Sequence, residues 1–355
     1  MRARVPRPTI EDVALVAGVH RSTVSRALTG SGPVSPENRE RVLEAAKKLN
    51  YHPNTMAGAL KSRRLTTWGL LSFWYLAPTS LDHYYAKTLA GLLDAAGRSG
   101  QRVLLENLVG RFDQTPEVMR FCHEASLGGV AIVAPRTAEA GLADLKRLAI
   151  PSVLVAYRPR DPELSFVDLD NVAATRLLVE HLAAEGHRRI ASIGGEVRLS
   201  ANARDRHDGF VEGMGLAGLT VDKRLVHNRD FMPGFGAEAF EALMGLPPSV
   251  RPTAIVCATD MMALSVIEAA KRRGLGIPDD LAVAGIDDNP EAGAASLTTV
   301  SSPFYEMGAR AGEILRRLGE GTHNEPERVL LPPKLFVRGS TRKSPVAVAN
   351  GHPLR

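Results

Sequence analysis

Residues 9–50 constrain this chain more than any other stretch, because they read as three short amphipathic helices joined by turns so tight that only a small bundle can result. Thr9 with Asp12 three positions on is a reciprocal helix-start pair. Ile10, Val13, Ala14 and Ala17 then recur on one helical face, and Gly18 supplies a turn. The segment 20–28 turns Val24, Ala27 and Leu28 inward and leaves Arg21, Ser22, Ser25 and Arg26 for the outer face. Ser35 followed by Pro36 opens a third helix. It buries Val42, Ala45, Ala46 and Leu49 and ends at Pro53. Beyond it, residues 54–61 read as a linker helix of about two turns, a length that is marginal in isolation.

An outer face of Arg and Ser suits the major groove of DNA. Arginine can make a bidentate contact to guanine O6 and N7, and a serine hydroxyl can serve a base edge or a phosphate. Any three-helix bundle with a solvated polar face would share this pattern, but charge argues against so general a reading. Residues 1–64 hold 12 Lys and Arg against 5 Asp and Glu, leaving the remainder at −2 within a chain of net charge +5. A basic head on a slightly acidic body is the footprint of a protein of which only one domain meets phosphates.

The run Thr9-Ile10-Glu11-Asp12-Val13-Ala14, the core Thr23-Val24-Ser25-Arg26, the start Val34-Ser35-Pro36-Glu37 and the stretch Leu49-Asn50-Tyr51-His52-Pro53-Asn54 together resemble the lactose-repressor/galactose-repressor family of bacterial regulators. The resemblance runs on to about Thr341. It implies DNA contacts from Thr9, His20, Arg21, Ser22, Thr23, Ser25, Arg26, Asn54, Ala57 and Leu60. It also implies that the linker helix folds when two subunits meet on DNA, with Leu60 wedged between base steps from the minor groove, where unstacking brings bent DNA against more protein. The family usually has Arg where this chain has Gly58. A glycine there costs on the order of 1 kcal/mol relative to Ala and removes a phosphate-capable side chain, for which Arg63 and Arg64 stand in.

From residue 68 onward, short apolar runs (68–75, 102–106, 129–134, 152–156, 189–194, 254–258 and 281–285) alternate with helical stretches (84–99, 116–125, 138–148, 171–185, 204–216 and 260–273). That alternation is the signature of parallel sheets wound with helices. The expected fold class is therefore α/β. An N-terminal all-α helix-turn-helix domain (1–53) and a hinge helix with linker (54–65) precede a two-lobed core resembling periplasmic binding proteins (66–342). The core comprises two doubly wound parallel-sheet subdomains, a near lobe of about 66–168 and 303–330 and a far lobe of about 169–298 and 331–342. A tail at 343–355 is expected to be disordered.

Two such lobes make a cleft at the carboxyl ends of their strands, where small ligands bind. By resemblance the effector contacts fall on Arg206, on Asp287 within Gly285-Ile286-Asp287, on Phe231, on Tyr84 and Tyr85, and on the helix-start pair Thr259 and Asp260. Arg and Asp clamps beside an aromatic ring suit a sugar, with apolar faces and polar edges. Bland roles compete with these: Asp260 and Asp170 could simply cap helices, Arg206 could pair with Asp205 or Asp208, and Phe231 could be core. Ala156 stands where the family places a pocket Asp, and Ser200 stands where purine-responsive members carry Arg. Both departures argue against a purine and favour a sugar or sugar derivative.

An enzyme is not expected. The one GxGxxG, Gly213 to Gly218, follows a helix rather than a strand and reads as a loop; no GxSxG elbow or HExxH is present and the ten His are scattered. Cys122 and Cys257 lie far apart with no metal-ligand spacing and read as reduced thiols, so neither cofactor nor metal is expected. The first nine residues hold three Arg and two Pro and no apolar run, which predicts neither signal peptide nor membrane span and a cytoplasmic, nucleoid-associated protein. The basic head and absent leader weigh against the rival reading, a free-standing sugar-binding protein of the periplasmic type. The expected partners are a near-palindromic double-stranded operator, a carbohydrate effector and a second copy of the chain, because a symmetric site demands a symmetric dimer.

Overall fold

The computed structural model describes residues 8–29, 32–49, 51, 67–72, 83–107, 121–122, 124–134, 150–198, 200–322 and 325–342. The expected hinge helix with Asn54, Ala57, Gly58 and Leu60, the helix at 138–148 and the tail at 343–355 lie outside them. The chain divides into two compact units, Met1–Leu65 and Thr66–Arg355.

The first unit holds α1 (Ile10–Ala17), α2 (Arg21–Thr29) and α3 (Pro36–Lys48). Its N-terminal helix begins with the full reciprocal cap between Thr9 and Asp12 and stops at Gly18, whose φ of 65° is open to glycine without strain. Ser35 caps α3 by accepting from the Asn38 N–H, with Pro36 in the first turn. Val13, Val24 and Val42, one from each helix, are fully buried at the centre, with Ala14, Ala17, Ala27, Ala45 and Ala46 around them. The small alanines let the helices approach closely.

The second unit contains two six-stranded sheets. In the first, the order β11-β5-β4-β3-β1-β2 joins Arg328–Leu331, Phe166–Leu169, Ser152–Val155, Gly129–Val133, Thr67–Ser72 and Arg102–Asn107, all parallel. In the second, the order β12-β10-β9-β8-β6-β7 joins Lys334–Phe336, Thr298–Ser301, Ala282–Asp287, Ala254–Cys257, Ile190–Gly195 and Val226–Arg229; only β12 runs antiparallel. Strands β3, β4 and β8 are almost wholly buried apolar runs, as strands covered on both faces must be. Helix α4 (His83–Arg98) packs on α10 (Phe304–Gly319) beside the first sheet, and α5 (Asn171–Ala184) packs on α6 (Ala201–Leu216) beside the second. On the opposite side of the second sheet, α7 (Pro233–Met244) pairs with α8 (Asp260–Arg272), and a short α9 (Pro290–Ala294) follows β9. The chain passes from sheet to sheet at residues 169–171, 301–304 and 331–334.

One local expectation is corrected. Gly213 and Gly215 belong to the last turns of α6, not to a loop. Helix α5 approaches so closely that a Cβ on Gly213 would stand 2.9 Å from the Val179 Cβ, so tertiary packing overrides the turn-forming tendency of a glycine-rich run. Both cysteines are free and buried, and burial pushes the Cys122 thiol up to about 11. No helix among the described residues is long and apolar enough to cross a membrane.

Candidate functional site

In the first unit, the side of α2 that faces away from Val24 and Ala27 carries the polar groups singled out in the sequence. Arg21, Arg26 and His20 are exposed, while Ser22, Thr23 and Ser25 are half-buried. His20 Nδ1 accepts from the Ser22 N–H at 3.3 Å, covering an otherwise open donor of the first helical turn, and Arg26 Nη2 donates to the Ser22 hydroxyl at a long 3.4 Å. Arg21 pairs with Glu11 at 3.1 Å, both side chains being more than half exposed. Thr9 is occupied by its cap: its hydroxyl and its N–H both donate to Asp12, and those bonds hold the Asp12 carboxyl below its usual range. The result is a row of cations and hydroxyls whose present bonds are weak and open to water, so exchanging them for another partner costs little.

The second unit gathers a different set. Arg206, on α6, is buried. Its Nε donates to Asn171 Oδ1 at 2.7 Å and its Nη1 to the Ala258 carbonyl, while Nη2 lies 4.0 Å from Asp287 Oδ1. Asp287 ends β9 and accepts from the Ser302 hydroxyl at 3.1 Å. The Arg206 guanidinium also stands over the Phe231 ring, 5.9 Å from its centroid. That ring lies across Gly195 at the end of β6, 2.5 Å from where a Cβ would sit, so no larger residue can stand there without displacing it. The structure thus brings Arg206, Asp287 and Phe231 together at strand ends.

Three of the six described non-glycine residues with positive φ lie at these strand ends, the others being Ser126, Ala134 and Ser296. Asp287 has φ 131°, Asp288 φ 54° and Ala156 φ 52°, all in the half of the map that side chains avoid. Such residues cost about 1–3 kcal/mol each and collect at ligand-binding positions. Asp288 is held there by Arg338, which donates to its carboxylate at 2.6 Å.

Thr259 and Asp260 have structural duties beside this group. Thr259 caps α8 through the Met262 N–H. Asp260 is fully buried, its Oδ1 accepting from the Thr299 hydroxyl at 2.6 Å and its Oδ2 from the Asn289 N–H at 3.0 Å. Burial pushes its carboxyl up to about 6 against the opposing pull of those two donors. Asp170 caps α5 through the Ala173 N–H. Tyr84 and Tyr85 stand with the first sheet: Tyr84 meets Phe304 edge-on with centroids 4.9 Å apart, and Tyr85 is buried.

Several residues of the site escaped the sequence reading. Asn171 and Ser302 sit at two of the passages between sheets and bond to Arg206 and Asp287 respectively. Asn202 reaches from α6 to the opposite lobe, its Nδ2 donating to the Ala156 carbonyl at 3.0 Å, and its buried Oδ1 has no hydrogen-bond partner among the described residues. Arg158, just beyond β4, comes within 3.9 Å of Asp205 on α6. A water-sized cavity behind Arg206 is lined by Thr175, Ser192, Gly194, Asn228 and Ala258. The one signal that could have drawn attention to Asn171 is the run Asp168-Leu169-Asp170-Asn171, three polar residues crowded at the end of an otherwise apolar strand.

The arrangement holds a guanidinium and a carboxylate beside an aromatic face, with the Asn202 amide oxygen on the same helix as the guanidinium. It can hydrogen-bond several hydroxyls while covering an apolar face.

Both units match known proteins. Residues 9–54 match the family model for bacterial regulatory proteins of the lacI family, and residues 179–341 match that for a periplasmic binding protein-like domain. The HTH-type transcriptional repressor CytR of Escherichia coli (strain K12) is 30% identical over 339 residues, covering 95% of this chain and 97% of that one. A solved complex of the transcriptional regulator CelR with cellobiose is 31% identical with a TM-score of 0.72, covering 94% of this chain and all of that one. A lac repressor dimer bound to operator and the anti-inducer ONPF is 25% identical with a TM-score of 0.84, covering 95% of this chain and 99% of that one.

Proposed function

The chain belongs to the lacI family of bacterial regulatory proteins and is a DNA-binding transcriptional regulator; from that premise we propose that it is a repressor, acting as a homodimer, whose grip on a near-palindromic operator is set by a sugar or sugar derivative in the cleft of its core. In this reading residues 1–53 bind DNA, 54–65 form the hinge, and the two lobes of 66–342 bind the effector and the second subunit. The protein works in the cytoplasm, on the nucleoid.

The observation that carries the effector reading is the convergence of Arg206, Asp287 and Phe231 on one place where the backbone is strained at Asp287, Asp288 and Ala156. The Oδ1 of Asn202, without a donor among the described residues, supports it, since a ligand hydroxyl would satisfy it. Asp260 contributes by fixing the 287–289 turn rather than by touching the ligand. The solved complex of a relative with cellobiose makes a glucoside the first choice of probe.

On the DNA side, the exposed row from His20 to Arg26 is the reading surface, and Asn54, Ala57 and Leu60 are the hinge contacts. The effector alters the spacing of the two hinge helices and so the operator affinity. By linkage, DNA then changes effector affinity by the same factor.

A thermal-shift screen of the full chain against cellobiose, glucose and other sugars, sugar acids and nucleobases tests the cleft. A ligand at a hundredfold excess over its Kd stabilises the folded state by about 2.7 kcal/mol. The expected result is a rise in Tm with a sugar that Asp287→Ala abolishes. A purine that raises Tm while every sugar leaves it unchanged would overturn the assignment.

A further inference from the structure

Asp168 is the penultimate residue of β5, a strand otherwise made of Phe166, Val167 and Leu169, and it is 1% exposed. A carboxylate in such a place must be hydrogen-bonded. Its Oδ1 accepts from the Leu169 N–H at 2.8 Å and its Oδ2 from the Asn171 side-chain amide at 3.2 Å. The same Nδ2 of Asn171 donates to the Leu169 carbonyl at 3.1 Å. With two acceptors on its nitrogen side, the Asn171 amide can only turn its oxygen outward, and that oxygen is the one that receives Arg206 Nε at 2.7 Å. The reversed amide would set an N–H₂ against a guanidinium.

We propose that Asp168 is the positioning residue of the cleft: it orients the Asn171 amide, which holds Arg206, and it thereby couples effector binding to the proton occupancy of a carboxyl at the first passage between the lobes. The proposal rests on the reading of Arg206 as an effector contact and adds a residue that never touches the ligand. The site of protonation follows from the geometry. Oδ1 is taken by a backbone donor, so a proton goes to Oδ2, the oxygen facing Asn171. A hydroxyl there turns an acceptor into a donor, Nδ2 is left with the Leu169 carbonyl alone, and the amide loses half of what fixes its orientation. Arg206 is then free to leave Asn171. In the other direction, an effector that draws Arg206 firmly onto Asn171 favours the ionised carboxyl, because the coupling is reciprocal.

The charged groups that act on Asp168 both come from α6: Arg206 favours the ionised form and Asp205 opposes it. Asp205 itself faces Arg204 and Arg158, and Arg206 faces Asp287. The residue opposite Asp168 on β11 is Leu330, and the β4 side presents Ala156, which carry no charge. Burial outweighs these influences and pushes the carboxyl up to about 7, so its proton is exchanged in the ordinary working range.

The test uses the full ligand-free chain, deuterated and ¹⁵N-labelled. Transverse-relaxation-optimised spectra are recorded from pH 5.5 to 8.5, following the Arg206 Nε–H and Asn171 side-chain amide signals, assigned by Arg206→Lys and Asn171→Ser. The expected result is that both signals shift together with one midpoint near 7, that Asp168→Asn abolishes the shift at Arg206, and that Asn171→Ser does so while leaving Asp168 ionisable. Pairing that is merely structural would leave the Arg206 signal independent of pH. Signals that stay fixed across the range in the unaltered chain, or that titrate equally in Asp168→Asn, would overturn the proposal. No effector takes part, so such a failure leaves the cleft assignment standing; that assignment fails on its own if no sugar stabilises the chain.

Discussion

The outer face of α2 and the floor of the cleft both consist of arginines beside acids and hydroxyls, yet they are built on opposite physical terms. Arg21 and Glu11 meet in water, each more than half exposed, and a bond of that kind contributes little and is readily traded for a phosphate or a base. Arg206 is buried, its donors given to Asn171 and Ala258 with Asp287 4.0 Å away, and removing it strands the two buried acceptors, Asn171 and the Ala258 carbonyl. A surface that must release and regrip keeps its charges wet. One that must sense a small molecule keeps them dry, where a single new bond shifts a whole network.

That contrast can be broken by substitution. Arg206→Ala should be the most damaging change, lowering stability by about 3–5 kcal/mol because Asn171 and the Ala258 carbonyl remain buried without their donor and Asp287 loses its nearest cation; chemical denaturation of the full chain measures it, and a loss below about 1 kcal/mol would mean the cleft is as wet as the head. The next effect is on pH. Asp168 and Asp260 hold their protons to about 7 and about 6, against an ordinary carboxyl value of 3.8. A carboxyl of raised value stabilises the folded chain fully below about 4, and that contribution is lost as pH rises through 6 and 7. Denaturation series at several pH values should show stability falling over this window, by at most about 1.4 kcal/mol per pH unit for each group. Asp168→Asn should flatten the upper part of the fall.

In the head the sign of the comparison reverses. Arg26→Ala should leave stability within about 0.5 kcal/mol, as an exposed substitution does, while removing about 1–3 kcal/mol of discrimination at one base pair of each half-site; titration against operator variants reads this, and unchanged discrimination would remove Arg26 from the reading surface. Smallest of all, Glu11→Gln should barely move the melting temperature, yet it should strengthen DNA binding at low salt by freeing Arg21 and removing a negative charge near phosphates.

The same contrast explains what could be read in the sequence. The head was legible almost residue by residue, since caps and turns are local: Thr9 with Asp12, Gly18, and Ser35 with Pro36 each act within a few positions. The apolar strands and the helices between them were legible from periodicity. Strands β5, β7 and β10 were not: Phe-Val-Asp-Leu and Thr-Thr-Val-Ser carry polar residues where a buried strand should be apolar, and Val-His-Asn-Arg is a half-exposed edge strand with little apolar signal. Thr299 bonds to the distant Asp260, and Asp168 acts on the distant Arg206 through Asn171. Periodicity measures a residue's own preference for burial and says nothing of a partner 38 or 39 positions away. For that reason Asn171, Ser302 and Asn202 appear only once the chain is folded, whereas Arg206 and Asp287 could be reached through the family resemblance.

The most direct measurement combines the two regions. Operator DNA selected from a random library by the full chain is titrated by fluorescence anisotropy, with and without a sugar that stabilises the protein, for the unaltered chain and for Asp287→Ala. The account predicts a change in operator affinity of about tenfold or more with the sugar, equivalent to about 1.4 kcal/mol of coupling, and none in Asp287→Ala, whose sugar-free DNA affinity is unchanged. A sugar that stabilises the core while leaving operator affinity untouched would contradict it.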